Sequence, residues 1–144
     1  MKNKTMSFSI FQTELGNKLY SIKENFPFYF YSPFTVSQST VLDANRVNNV
    51  LTSGIICDVT ASSISITFPT ATVLQSLLNC KVGDYVNFFI SAFSETFPNA
   101  NSVNIVGNTG VEPLSTSADP LDSQVTYYPT LVCASLSPLK FYII

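Results

Sequence analysis

The chain has 144 residues, 46% of them apolar and only 11% charged, with a net charge of −2. That length suits one domain around one core, and so apolar a composition excludes an intrinsically disordered chain. A charged share well below the ~25% usual in soluble domains leaves the surface to Ser, Thr and Asn, or to another subunit.

The absence of histidine removes Ser-His-Asp and Cys-His catalysis and the commonest metal ligand in one stroke. Cys57, Cys80 and Cys133 form no C-x-x-C pair, so zinc and other cofactors are not expected. An odd number of cysteines within apolar runs reads as buried free thiols, which favours assembly in a reducing compartment. The basic residues are not clustered, which makes nucleic acid a poor candidate as the main partner. Met1 to Gln12 lacks the continuous apolar run of a signal peptide, and no segment has the length of apolar residues needed to cross a membrane as a helix.

Twelve Phe, seven Tyr and eight Pro point to short strands rather than long helices. A single domain over residues 1–144 is expected, with 1–49 as an aromatic-rich N-terminal arm or as its first strands. From Tyr20 to Val36 the residues Phe26, Phe28, Phe30 and Phe34 are interleaved with Pro27, Tyr29, Tyr31 and Pro33. This segment is extended, and its prolines exclude a central strand. Its aromatics either pack into the chain's own core or plug into a neighbouring subunit, so Phe26, Phe28, Tyr29, Phe30 and Phe34 are the candidate subunit-interface residues.

Gly54 to Thr60 and Ser63 to Phe68 read as strands, the second with Ile64, Ile66 and Phe68 on one face. Between Pro69 and Asn79 the spacing of Val73, Leu74, Leu77 and Leu78 changes to that of a short helix. Lys81 to Asp84 is a turn before a strand over Tyr85 to Ala92. Pro98 to Asn101 turns into a strand over Ser102 to Val106, and Gly107 to Gly110 is a hairpin turn into Val111 to Leu114. Ser115 to Ser123 is polar and loop-like, and Val125 to Tyr128, Thr130 to Ser135 and Lys140 to Ile144 are closing strands. No sharp internal repeat is visible. The expected fold is all-β, an antiparallel β-sandwich of jelly-roll type with one short helix.

Several pieces within Val50 to Leu114 occur in a suggestive order: Leu51 to Ile56, then Ile66 to Ala71 leading into the helix, then Lys81 to Asp84 before an aromatic strand, then Gly107 to Val111. In these pieces, and in the ending Lys140 to Ile144, the chain resembles a domain of capsid-surface, fibre and collagen-like proteins of giant DNA viruses, virophages and some phages. The resemblance implies a trimeric β-sandwich fibre head, carries no catalytic residues, and implies a virion protein assembled in the host cytoplasm.

The carboxylates Asp58, Asp84, Glu95, Glu112, Asp119 and Asp122 could in principle supply a glycosidase pair, but most stand in turns, where Asp bonds its own backbone. The loop from Asp119 to Asp122 has too few oxygens for calcium. The expectation is therefore a non-enzymatic viral structural protein, a homotrimer mediating assembly or attachment. The alternatives are a receptor- or glycan-binding module whose loops, with Tyr127 and Tyr128, meet a host or virion-surface protein or glycan, and a small cytosolic regulator binding nucleic acid through Lys2 and Lys4.

Overall fold

The computed structural model describes residues 33–114 and 120–144, which form twelve strands and two helices. Successive segments occupy successive walls of a three-sided winding. Strands β1 (Phe34–Val36) and β2 (Thr40–Val41) lie in the first and second walls, and helix α1 (Ala44–Ser53) follows them on the third. Strands β3 (Ile55–Asp58) and β4 (Ile64–Thr67) and helix α2 (Ala71–Leu78) repeat that order one level on. At the third level β5 (Tyr85–Asn87) enters a sheet on the third wall, β6 (Ile90–Phe93) the first wall, β7 (Ser102–Val106) the second and β8 (Val111–Pro113) the third again.

The chain then doubles back. β9 (Leu121–Asp122) runs antiparallel to β7, β10 (Val125–Tyr127) runs antiparallel to β6, and β11 (Thr130–Leu136) with β12 (Leu139–Ile143) completes the third sheet. The sheet orders are β1-β3-β6-β10, β2-β4-β7-β9 and β5-β11-β12-β8. Helix α1 packs on α2, and α2 on β12, so the third wall is continuous from helix to sheet.

Register explains where the core sits. In the first wall Phe34 aligns with Ile55 and Ile55 with Ile90, while Val36 aligns with Cys57 and Cys57 with Ala92. In the second, Ile64 aligns with Val103 and Val103 with Leu121, and Thr40 aligns with Ile66 and Ile66 with Ile105. Because side chains alternate along a strand, each ladder sends like positions inward at every level, one strand spacing of about 4.8 Å apart. Ile55, Cys57, Ile64, Ile66, Ile90 and Val103 are all fully buried.

The helices follow the same repeat. Asp43 caps α1 by accepting the Arg46 N–H at 2.8 Å, and Thr70 caps α2 by accepting the Val73 N–H at 3.4 Å. The fourth and eighth residues after each cap, Val47 and Leu51 in α1 and Leu74 and Leu78 in α2, are buried.

The expected antiparallel jelly-roll sandwich is therefore corrected. All three sheets are mixed, β1, β3 and β6 run parallel, as do β2, β4 and β7, and the described residues hold two helices where one short one was expected. Alternation in sequence tells which residues face inward but not which way the neighbouring strand runs, and both arrangements show the same pattern. Two local expectations change with it. The strand expected over Tyr85 to Ala92 is broken at Phe88 and Phe89, where the chain turns from the third wall to the first; Phe88 is buried there with its ring centroid 5.8 Å from that of Phe68. The turn at Gly107 to Gly110 is closed by the Asn108–Val111 bridge, yet it joins strands of two different walls rather than a hairpin.

Gly54, between α1 and β3, has φ +78° and donates its N–H to Val50 O at 2.8 Å, and a Cβ built on it would clash with the Phe89 ring. Gly54→Ala combines a left-handed backbone with displacement of that ring, so it is expected to destabilise the protein by about 2–4 kcal/mol. Ile66→Ala, which opens a cavity in the middle of a ladder, should also cost about 2–5 kcal/mol. Urea unfolding of both variants checks these values.

Candidate functional site

The two ends of the winding differ. At the third level, β6 and β7 are covered on their outer edges by the antiparallel strands β10 and β9. At the first level the parallel strands β1 and β2 are the last of their sheets, β1 pairing only with β3 and β2 only with β4 among the described residues, just as β10 and β9 are the last strands at the other end. The β1–β2 end, with no returning antiparallel strand laid over it among the described residues, is the open end of the winding. Strand edges carry a row of backbone donors and acceptors directed at whatever lies beside them, which makes them templates for further pairing. The side chains around this open end are mostly small and polar, Thr35, Ser37, Gln38, Ser39, Asn45 and Asn49, all exposed. The exception is Val41, 64% exposed on β2.

Of the five candidate interface residues, Phe26, Phe28, Tyr29 and Phe30 lie outside the described residues. Phe34 begins β1, is half-buried, and packs against the core while aligned with Ile55. The Arg46 guanidinium of α1 stands 5.9 Å from the centre of its ring. The aromatic run read from the sequence thus leads directly into the edge strand of the open end, and Pro33 stands just before that edge strand.

A second polar assembly fills the corner between the first and second walls. The Asn99 side-chain amide donates to Ser94 Oγ at 2.7 Å and lies 3.2–3.4 Å from Thr96 Oγ1, Thr60 O and Val59 O. Asn101 Nδ2 donates to Val59 O at 2.9 Å, Glu95 N–H to Thr60 Oγ1 at 2.8 Å, and the Gln124 side-chain amide to Ser94 O. These bonds tie the loop after β3 to the loop after β6 and to the β9–β10 turn. Ser94 is buried, so its partners satisfy groups that water cannot reach. The sequence shows Asn99 only as a turn residue; the available signal was the polar content of the two loops, Thr60, Ser62 and Ser63 in one and Ser94, Thr96, Asn99 and Asn101 in the other.

The acidic residues are not gathered. Asp58 ends β3 in the first wall, Asp122 lies on β9 in the second, Asp84 and Glu112 belong to the third, and Glu95 follows β6. Asp119 lies outside the described residues. Asp58 accepts the Thr60 N–H at 3.0 Å, and hydrogen bonds from the Thr60 side chain and backbone hold its carboxyl below the usual range. Asp84 is buried and accepts the Lys81 N–H at 2.6 Å, closing the expected turn. Among the described residues no group of three His, Cys, Asp or Glu side chains could hold a metal ion, and no helix is long and apolar enough to cross a membrane.

Tyr127 is half-buried against the core and its hydroxyl accepts the Asp122 N–H at 3.3 Å, whereas Tyr128 is 74% exposed. All three cysteines are buried free thiols. Burial pushes the Cys57 thiol up to about 12, and burial first, with the neighbouring thiol and Asp84 adding to it, raises Cys80 as well. Cys133 is raised chiefly by burial.

No family model, no curated protein and no solved structure matches the chain.

Asn99→Ala strips the corner of its central donor and leaves Ser94 and the Val59 and Thr60 carbonyls short of partners. It is expected to lower stability by about 1–3 kcal/mol, and thermal unfolding beside the wild type measures this.

Proposed function

We propose that the protein is a non-enzymatic structural component that works by self-association, as a homotrimer, through the open end formed by β1 and β2. The observation that carries this reading is the asymmetry of the winding. One end finishes in the antiparallel strands β10 and β9, laid back over it by the returning chain, whereas the other finishes in the parallel strands β1 and β2, whose outer edges are unpaired among the described residues and lie beside an exposed valine. Stacked architectures need their terminal levels covered to stay soluble, and a second copy is the cover a chain always has at hand.

Composition supports the same reading. With charged residues at only 11%, the chain has little of the charge that keeps monomers apart. Closed assembly resolves that by burying shared surface. The setting on a virus particle rests on the resemblance of the sequence pieces, Leu51 to Ile56, Ile66 to Ala71, Lys81 to Asp84 and Gly107 to Val111. The three mixed sheets give no counterpart to the jelly-roll head that the resemblance implies.

Light scattering coupled to size exclusion should give a mass near three times 15.8 kDa. Val41→Glu, which places a charge on the open end without touching the core, should shift the population toward monomer while leaving the circular dichroism spectrum unchanged. A wild-type protein that stays monomeric at micromolar concentration overturns the trimer and would favour recognition of a separate partner through exposed residues such as Tyr128.

A further inference from the structure

We infer that Cys80 and Cys133 are the two halves of a latent disulfide, a site of oxidative cross-linking built into the third wall. The two cysteines are 53 residues apart in sequence but are brought together by two separate sets of hydrogen bonds.

The first set fixes Cys80. It follows Asn79, the left-handed residue that ends α2, whose N–H donates to Gln75 O at 2.8 Å. The Gln75 side chain then grips the next residue on both sides. Its Oε1 accepts the Cys80 N–H at 3.2 Å and the Cys80 thiol at 3.0 Å, and its Nε2 donates to Cys80 O at 3.1 Å. The second set fixes Cys133 to the turn that follows. Gly83 N–H donates to Cys133 O and Cys133 N–H to Asp84 O, each at 2.8 Å. Asp84 in turn closes back on Lys81 through its own N–H, at 3.0 Å to Lys81 O, and through its carboxylate. Cys133 is thereby held, buried, against the turn that begins at Cys80, also buried, and each thiol is among the groups that act on the other.

Cys57 is the internal contrast. It is equally buried, but it lies in the first wall between Val36 and Ala92, and nothing places another thiol beside it. A structural explanation that treats all three as small core fillers accounts for Cys57 and leaves unexplained the paired sulfurs and the glutamine clamp.

The chemistry is thiol–disulfide exchange with a small dialkyl disulfide as the oxidant. One protein thiol, deprotonated, displaces one thiolate from the reagent and forms a mixed disulfide. The second protein thiol, losing its proton, attacks the protein sulfur of that mixed disulfide and expels the second reagent thiolate. The Cys80–Cys133 bond forms, the reagent's S–S bond breaks, and two reagent thiols carry away the two hydrogens. Burial keeps both thiols protonated, so the reaction proceeds when the exposed turn at Lys81 to Gly83, directly after Cys80, opens.

Reduced native protein is incubated with hydroxyethyl disulfide, quenched in acid, unfolded, alkylated and mapped by mass spectrometry. The expected product has lost two hydrogens, yields a Cys80–Cys133 cross-linked peptide, and carries the alkyl label on Cys57 alone. Cys57→Ser should form the same bridge, and Cys133→Ser should stop at a mixed disulfide on Cys80. The bridged wild type should unfold at a higher temperature than the reduced form and return to the lower one on reduction. Accumulation of mixed disulfides without a bridge in the wild type, a bridge that includes Cys57, three unmodified thiols, or a lower unfolding temperature on bridging would each overturn the inference. The wild-type map decides the question even where a substituted variant fails to fold.

Discussion

Parallel neighbours in a sheet cannot be joined by a tight turn, because the chain must leave the sheet, run back its length and re-enter from the same end. Everything else in this protein follows from meeting that requirement with the other two walls. β1 reaches β3, and β2 reaches β4, by way of α1 on the third wall; β3 reaches β6, and β4 reaches β7, by way of α2 and β5. The return path of one sheet is thus a working wall for the others, and the apolar ladders of the first two sheets face the helices that make their pairing possible.

The ladders explain the low charge and the high aliphatic content together. A position directed inward at one level is directed inward at the next, so isoleucine, valine, cysteine and alanine recur in register: Ile55 with Ile90, Cys57 with Ala92, Ile64 with Val103, Ile66 with Ile105. The thiols of Cys57 and Cys133 take ladder positions that valine or alanine could fill sterically. The buried polar residues Asp84 and Ser94 stand at corners, where the backbone of adjacent levels turns and needs partners; the Asn99 network supplies them around Ser94 without reaching into the ladders.

Much of the local structure is legible in the sequence, and the long-range pairing is not. The strands at Ile55–Asp58, Ile64–Thr67, Ser102–Val106 and Thr130–Leu136, the helix at Ala71–Leu78 and the turn at Lys81 to Asp84 all announce themselves through period and turn chemistry. Helix α1 was also readable, from Asp43 followed by Val47, Val50 and Leu51, but its stripe is masked by the polarity of Asn45, Arg46, Asn48 and Asn49. The break at Phe88 and Phe89 was hidden because both sides of the corner are apolar, so the run looks like one strand passing through a core. Repetition between levels escapes notice for a related reason. The matching positions are caps and inward residues of differing identity, Asp43 against Thr70 and Val47 against Leu74, separated by loops of unequal length. The open end is a property of topology alone, and no residue near it carries a signature beyond the prolines and aromatics that precede Phe34.

The third wall is not made of the same material throughout. Strands climb by about 4.8 Å per level, whereas packed helices stand about 8–10 Å apart. Between the first and second levels the helical wall therefore rises nearly twice as far as the two strand walls, and the levels fan apart like the pages of a partly opened book. Replacing the helix by strands at the third level, where β12 meets α2, ends the fanning. The plane of the β1–β2 end is consequently tilted against that of the β9–β10 end, and any copies joined there would meet at an angle rather than in a straight line. Such an angle sets the radius of a ring and works against a straight fibre.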